Sequence, residues 1–308
     1  MRHMGDVLAG NHATWEFDTD SLLIRFERGI RTPRLFQSLR ERRVPYAALS
    51  SVTLSPGKRG TVVLHAVPRP GADPLLEAAA GQLKEGCDPY RLALPADRET
   101  LAEYYADELR SVLGPEASEP ADRFLVAAPE APMQFKAYDG RAGFDGSRVS
   151  FRWSWTGASS AKWKAGDQTF PVAELSGVEW RSPEAMEGYL RLVPRGAADT
   201  DGPAPASGQG APEPATGRVQ ADQDPAAVLF GLGYGPVHES LPFAAAVLES
   251  VRRTQPAPLV PAPAPVGGSL HDPAAVAERM RHLGELHRAG LVTDDEYSAK
   301  KAELLAEL

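Results

Sequence analysis

A ten-residue stretch that occurs twice constrains the fold of this chain more than any other feature. Residues 17–26 read Phe-Asp-Thr-Asp-Ser-Leu-Leu-Ile-Arg-Phe, and residues 144–153, which begin 127 positions later, read Phe-Asp-Gly-Ser-Arg-Val-Ser-Phe-Arg-Trp. Each copy opens on turn-forming residues and continues with apolar residues such as Leu22, Ile24 and Phe26, whose alternation is typical of a β-strand. The duplication predicts a tandem repeat.

Further blocks recur in the same order. Residues 170–180 match residues 44–54 at an offset of 126, and residues 193–195 match residues 67–69 at the same offset. Both pairs of blocks carry β-branched and apolar residues interrupted by proline, which indicates strands that end at turns. A constant offset over several blocks indicates that each repeat contains several strands.

Each repeat closes with a predicted helix. In the first repeat it spans 97–113, ends at Gly114-Pro115, and is matched by residues 243–253 in the second. The offset grows only across 196–223, a Gly/Pro/Ala/Asp-rich segment that predicts a flexible insert. The spacing of apolar residues in the first helix predicts a buried stripe of Leu101, Tyr105, Leu109 and Val112.

Strands followed by one helix predict a mainly β fold with some α structure (α+β), because a small sheet must cover its apolar face. The repeated Phe-Asp strand opening, the segment Leu-Ser-x-Val at residues 49–52 and 175–178, and the Asp-Pro strand resemble the bacterial domain of unknown function family 4429. The resemblance covers most of residues 6–254. It implies two tandem pleckstrin-homology-like barrels, each closed by its C-terminal helix.

The C-terminal tail predicts a small domain of two helices. Gly290-Leu291-Val292-Thr293, Glu296-Tyr297 and residues 300–305 resemble the SHOCT (short C-terminal) domain, which implies self-association without enzymatic activity. A unit of under ~40 residues rarely buries enough surface to be stable alone, so a homo-oligomer is expected. The apolar residues expected to carry it are Val276, Met280, Leu283, Leu286, Leu291, Tyr297, Leu304 and Leu305.

The predicted organisation is therefore a first repeat, a linker, a second repeat, a second linker and the tail. Their bounds are 6–114, 115–132 (Pro/Glu/Ala-rich), 133–254 (with the insert 196–223), 255–269 (Pro/Ala-rich) and 270–308.

Composition narrows the class of protein. The net charge of −8 and the pI of about 5.5 disfavour nucleic acid as a partner, which normally requires a basic face. Cys87 is the only cysteine, which fits a reducing cytoplasm and allows no intramolecular disulfide. The sequence has no apolar run of signal-peptide or membrane-span length, so a cytoplasmic protein is expected.

No motif predicts catalysis, a cofactor or a metal. The loop Gly231-Leu-Gly-Tyr-Gly235 lacks the remaining residues of a nucleotide-binding fingerprint, and a turn is expected there. None of the seven histidines pairs at the spacing of zinc proteases, and Cys87 has no neighbouring base in the sequence. The protein is therefore not expected to be an enzyme.

An arginine-rich segment, which begins at the end of the first repeated strand, is a candidate binding surface. It has seven arginines against Glu27 and Glu41: Arg25, Arg28, Arg31, Arg34, Arg40, Arg42 and Arg43. Three interpretations stay open, namely a solvated face, a surface for a protein or peptide, and a surface for anionic lipid. The second repeat instead carries Trp153, Trp155 and Trp163, which are expected in the core or between the repeats.

Two functions follow from these features. The first is a non-enzymatic scaffold whose repeats bind an unknown protein partner and whose tail drives self-association, which raises avidity. The alternative is a peripheral adaptor that binds anionic membrane lipid through the arginine-rich segment.

Overall fold

A computed structural model describes residues 6–196 and 219–254 of the chain. The predicted tail, its linker and the tail residues expected to associate lie outside the described residues. Most of the predicted insert also lies outside them.

The first repeat consists of two antiparallel sheets and three helices. Its first sheet is a meander in chain order of β1 (Asp6–Ala9), β2 (Ala13–Phe17), β3 (Ser21–Phe26) and β4 (Glu41–Pro45). Its second sheet is a meander of β5 (Leu49–Pro56), β6 (Thr61–Pro68) and β7 (Arg91–Pro95). The helices are α1 (Arg34–Leu39), α2 (Pro74–Ala79) and α3 (Glu99–Ser111).

The second repeat has the same order of sheets. Its first meander consists of β8 (Met133–Lys136), β9 (Gly140–Phe144), β10 (Arg148–Trp153) and β11 (Gln168–Pro171), with α4 (Ser160–Ala165) between the last two strands. The second meander is β12 (Leu175–Arg181), β13 (Tyr189–Pro194) and β14 (Ala227–Leu229), and α5 (Val237–Thr254) follows. The described chain is thus a mixed structure of four small antiparallel sheets and five α-helices.

The duplicated stretch forms equivalent hairpins. The backbone N–H of Asp18 donates to the carbonyl of Ser21 across the first turn, and Asp145 donates to Arg148 across the second. Phe17 lies opposite Leu22 in the register between β2 and β3. Leu22, Ile24 and Phe26 all lie in the core as predicted, but the burial does not alternate, because Leu23 is buried on the other face of the strand.

The prediction of closed barrels is wrong for the described residues. The strands of the two sheets in the first repeat pair with each other only at one isolated bridge, where the N–H of Asn11 donates to the carbonyl of Ala93 at 2.7 Å. At the other junction a short 3-10 turn, Tyr46–Ala48, separates β4 from β5. Closure requires continuous pairing between edge strands, and these junctions pair too few residues to provide it.

The helix α3 covers the second sheet of the first repeat through a stripe that shares Tyr105 and Leu109 with the predicted one. Its buried residues are Ala102, Tyr105, Ala106 and Leu109, whereas Leu101 is exposed. The alanines allow the helix backbone to approach the sheet closely, and Tyr105 stacks on Phe17 with ring centroids 4.4 Å apart. The prediction of Leu101 as a core residue is therefore wrong.

The helix α5 is buried on all sides over residues 240–247. It packs on β8 and β12 of its own repeat and on α1 and α2 of the first repeat. Such a helix must be apolar all round, whereas α3, buried on one face, carries acidic residues on the other. The helix α5 thus joins the two repeats through a shared core.

Polar contacts reinforce this junction. The side chain of Gln82 donates to the carbonyl of Trp180 at 3.0 Å and accepts from the backbone N–H of Ser182 at 2.9 Å. Arg252 lies 3.2 Å from Glu77, and its guanidinium stacks on the ring of Phe124 at 4.4 Å. The two repeats therefore form one compact unit.

None of the helices in the described part of the chain combines the length and the apolar character needed to cross a bilayer.

Candidate functional site

The seven arginines of the predicted basic patch do not form one surface. Arg25 and Arg43 are exposed but paired, Arg25 with Glu16 at 3.3 Å and Arg43 with Asp18 at 2.6 Å. Arg42 is buried. The remaining four are exposed and form no ion pair with any described residue: Arg28, Arg31, Arg34 and Arg40.

Arg42 belongs to the core, which corrects its place in the predicted surface. It is 4% exposed, and its Nη2 donates to Asp73 Oδ1 at 2.6 Å and to Tyr90 Oη at 3.3 Å. Burial alone lowers the pKa of Arg42, but Asp73 and Tyr90 raise it more, so the net pKa lies above its usual value. The carboxylate of Asp73 also accepts from the hydroxyl of Tyr90 at 2.7 Å and from the N–H of Leu75 at 3.0 Å.

A shallow cleft of about 440 Å³ lies between β3 and α1 in the first repeat. We call it the arginine cleft; its lining is Arg25, Phe26, Arg28, Gln37, Arg40 and Glu41. Gln37 holds the loop before α1 in place by donating to the carbonyls of Gly29 and Thr32. The cleft is therefore lined by three arginines and one glutamate, and the neighbouring loop is held by hydrogen bonds to Gln37.

The equivalent place in the second repeat is aromatic. Trp155 corresponds to Arg28 at an offset of 127, and Trp163 corresponds to Gln37 at an offset of 126. Trp155 is 81% exposed and Trp163 is 51% exposed, and their rings meet edge to face with centroids 5.2 Å apart. The expectation that these two tryptophans lie in the core or between the repeats is wrong, and only Trp153 packs against the core.

A buried ion pair anchors the helix α4, which carries Trp163. Lys162 on α4 is fully buried, and its Nζ lies 2.6 Å from Asp139 Oδ2 and 5.0 Å from the ring centroid of Trp153. The first repeat has Phe36 at the corresponding position, stacked on Phe26 at 4.6 Å. Burial lowers the pKa of Lys162, and Asp139 opposes that shift.

A larger groove of about 620 Å³ lies between the repeats. The first repeat contributes the start of α1 and the segment 82–87, and the second contributes 180–188 and 230–238. We call this the inter-repeat groove. Lys84 and Glu184 form an ion pair at 3.0 Å between the two sides.

The predicted glycine turn forms one wall of the groove. The N–H groups of Gly231 and Tyr234 each donate to the other residue's carbonyl, and Gly235 has a φ of 62°. A Cβ atom at Gly235 would overlap the ring of Phe230, so this position requires glycine. The turn leaves the side chain of Leu232 fully exposed at the groove.

Two titratable residues in the groove are shifted toward their neutral forms. Burial lowers the pKa of His238, with Arg34 adding to the effect, although Glu239 opposes it. Burial raises the pKa of the Cys87 thiol, and Glu184 adds to that effect. A protonated thiol is a poor nucleophile, and no described group of three His, Cys, Asp or Glu residues is arranged to hold a metal.

The model of a domain of unknown function, DUF4429, matches residues 15–110 and residues 142–248. The chain belongs to the DUF4429 family. The first matched range begins in β2 and ends in α3, and the second begins in β9 and ends in α5.

Each DUF4429 copy therefore comprises most of one repeat, and the inter-repeat groove is lined by both copies. The arginine cleft belongs to the first copy and the tryptophan pair to the second. A search of the curated proteins found no match to the chain.

Sequence reasoning located the arginine segment and the glycine turn but missed the groove that the turn lines. The groove depends on residues about 150 positions apart, such as Lys84 and Pro236, so no local pattern indicates it. One available signal was the apolar run at 241–247, which is too uniformly apolar for a helix with a solvated face.

Proposed function

We propose that this DUF4429 protein is a non-enzymatic interaction protein of the cytoplasm whose inter-repeat groove binds a segment of a protein partner. The observation that carries the proposal is the groove itself, about 620 Å³ in volume and lined by both repeats. Its lining mixes apolar side chains such as Leu83 and Leu232 with the charged residues Arg34, Glu184 and Glu187. Apolar area with a few polar groups is typical of binding sites.

The wall that contains Leu232 is suited to binding. A fully exposed leucine gains about 1.5–3 kcal/mol when a partner covers it. The bonded glycine turn fixes the backbone around Leu232 before the partner arrives, which reduces the ordering entropy lost on binding. Met186 is also exposed and adjoins the groove residues Ala185 and Glu187.

The arginine cleft favours a second candidate function, a peripheral adaptor at an anionic membrane. In the lining of the cleft, Arg28 and Arg40 are exposed without ion pairs to the described residues. Arg31 and Arg34 are exposed and unpaired in the same way, but they lie outside that lining, and Arg34 lines the inter-repeat groove. Near an anionic surface each arginine contributes about 1 kcal/mol. Arg25, Arg43 and Arg42 contribute less to this candidate, because the first two are paired and the third is buried.

Two matched double variants separate these candidates. Leu232→Glu with Met186→Glu places charge at the groove, and Arg28→Glu with Arg40→Glu reverses charge at the cleft; all four side chains are exposed, so the fold should persist. If the groove binds a protein, the groove variant should retain its partner about tenfold less than wild type, because a buried carboxylate costs free energy. Immobilised full-length protein in native lysate, quantified by mass spectrometry, measures this.

The cleft variant serves as the control in that measurement and as the test variant with phosphatidylglycerol vesicles. Equal retention of every protein by wild type and groove variant contradicts the first candidate. Vesicle binding that is indifferent to Arg28→Glu with Arg40→Glu contradicts the second.

We also propose that each repeat has a pleckstrin-homology-like fold with incompletely closed sheets. The order of elements supports this, since each repeat has a four-stranded meander, a three-stranded meander and then a helix. Strand pairing in either repeat, mapped by amide-to-amide NOEs, that differs from this order would reject the assignment.

The SHOCT-like tail, residues 270–308, is proposed to drive self-association. Its support is the sequence resemblance and the small size of the unit, since a domain of under ~40 residues needs a partner to bury enough surface. We expect full-length protein to be a dimer or larger and protein ending at residue 254 to have a lower association state. Light scattering at micromolar concentration measures both masses, and a monomeric full-length protein contradicts the proposal.

A further inference from the structure

Trp155 and Trp163 form an exposed aromatic pair on a firmly built support. Ser159 caps α4 by accepting from the N–H of Lys162, and Lys162 ties the helix to Asp139 in the core. The indole N–H of Trp153 donates to the carbonyl of Gly166 at 2.7 Å, which fixes the end of α4. Within the described chain, the indole N–H groups of Trp155 and Trp163 have no hydrogen-bond acceptor.

The chain around this pair is basic although the whole protein is acidic. Residues 146–166 contain four basic residues and no aspartate or glutamate, whereas the net charge of the chain is −8. The exposed Asp145 and Asp167 flank this range, and Asp167 accepts from the backbone N–H of Trp153 at 3.1 Å. Of the basic residues in this range, Lys162 is buried in its ion pair, and Arg148, Arg152 and Lys164 are exposed. We call Trp155, Trp163, Arg152 and Lys164 the tryptophan surface.

We propose that the tryptophan surface binds the interfacial region of an anionic lipid bilayer. The two indoles would lie at the level of the headgroups, where tryptophan is favoured because it combines an apolar ring with a polar N–H. Arg152 and Lys164 would contact the anionic headgroups beside them. The occupant is thus a membrane surface that contains anionic lipid.

The geometry favours a membrane over a protein or a carbohydrate. The two rings are perpendicular, at 88°, so their faces do not combine into one flat platform. A fluid interface accommodates both orientations, and the charge of the surface is complementary to anionic headgroups. Stable membrane attachment generally needs two weak contributions together, and this surface provides apolar area and positive charge.

This proposal and the second candidate function both name an anionic membrane as the binding partner, but they rest on different residues. The two surfaces lie in different repeats, so variants of one leave the other intact. The first repeat adds a fully exposed Ile30 at the corresponding loop, between Arg28 and Arg31. Each repeat therefore has an apolar side chain among basic residues at the same place in its fold.

Co-sedimentation of the full-length chain with lipid vesicles tests the proposal. Wild type should bind vesicles of phosphatidylcholine mixed with phosphatidylglycerol, and its tryptophan fluorescence should shift to shorter wavelength on binding. Trp155→Ala with Trp163→Ala should weaken binding about tenfold or more, because the apolar contribution is lost. Arg152→Gln with Lys164→Gln should weaken binding to the mixed vesicles and leave the weak binding to pure phosphatidylcholine unchanged.

Tyr104→Ala is the matched control, since Tyr104 is an exposed aromatic residue on α3 in the first repeat and should not affect binding. Failure of wild type to bind either vesicle overturns the proposal. Unchanged binding by the double tryptophan variant, with loss only in Arg28→Glu with Arg40→Glu, also overturns it and leaves the arginine cleft as the membrane surface. If Trp155→Ala with Trp163→Ala loses a lysate protein that wild type retains, while its vesicle binding is unchanged, the membrane proposal is overturned. The surface is then assigned to a protein partner.

Discussion

Replacing Asp73 by alanine should destabilise the protein by about 3–5 kcal/mol, because it leaves the buried guanidinium of Arg42 without its counter-charge. The same change removes the acceptor for the hydroxyl of Tyr90 and the N-cap of α2. The helix α2 packs against α5, so the loss should extend to the contact between the repeats. Urea unfolding followed by circular dichroism measures the difference.

The chain offers a control with the same kind of contact at the same distance. Arg43 and Asp18 also lie 2.6 Å apart, but both side chains are substantially exposed. Asp18→Ala should therefore destabilise the protein far less than Asp73→Ala, because water screens the pair and solvates the remaining arginine. Equal losses for the two alanine variants would show that burial of Arg42 does not determine the effect.

Replacing Lys162 by methionine should destabilise the protein by about 3–5 kcal/mol, because the carboxylate of Asp139 then remains buried without a cation. Methionine fills a similar volume, so the loss should come from charge and not from a cavity. The tryptophan surface should be disturbed as well, since α4 loses its tie to the core. Unfolding in urea, monitored by circular dichroism, measures the stability.

A compensating variant tests this explanation. Asp139 also accepts from the backbone N–H of Leu229 at 2.9 Å, so asparagine at 139 removes the charge and keeps an acceptor. Asp139→Asn combined with Lys162→Met should recover most of the stability lost in Lys162→Met alone, as expected when a buried pair is replaced as a unit. A double variant as unstable as Lys162→Met would show that charge is not the cause.

The two repeats fill the same position of their common fold with different side chains. The first repeat fills the space under its loop with stacked Phe26 and Phe36, and the second fills it with Trp153 over Lys162. Lys162 reaches Asp139, which corresponds to His12 in the first repeat, where His12 instead contacts Thr32 at 3.3 Å. The sequence offset aligns Phe36 with Lys162, but only the geometry shows that both side chains fill the same space.

The prediction that all seven arginines of the segment are on the surface is wrong for Arg42, whose burial depends on residues distant in the sequence. Alternation along β4 indicates that Arg42 and Arg43 face opposite sides of the sheet, but it does not say which side is buried. Asp73, which pairs with Arg42, lies 31 positions away on another element. The interior position of Arg42 was therefore decided by tertiary contacts.

The local pattern of the sequence by itself determined the duplication, the repeated strands, the closing helix of each repeat and the turns. The short helices α1 and α4, which lie between strands, were not predicted. The predicted features depend on neighbouring residues: the alternation of Leu22, Ile24 and Phe26, the turn before Ser21, and the glycines at 231–235 act over a few positions.

Only the tertiary structure decided which side chains are available for binding. The helix α1 of the first repeat is packed by α5 of the second, and α4 of the second repeat leaves Trp155 and Trp163 exposed. The duplicated stretch specifies equivalent hairpins in both repeats, but exposure is a property of what packs against them. For that reason the position of the groove follows only from the packing of the two repeats, and that of the tryptophan surface only from the exposure of its side chains.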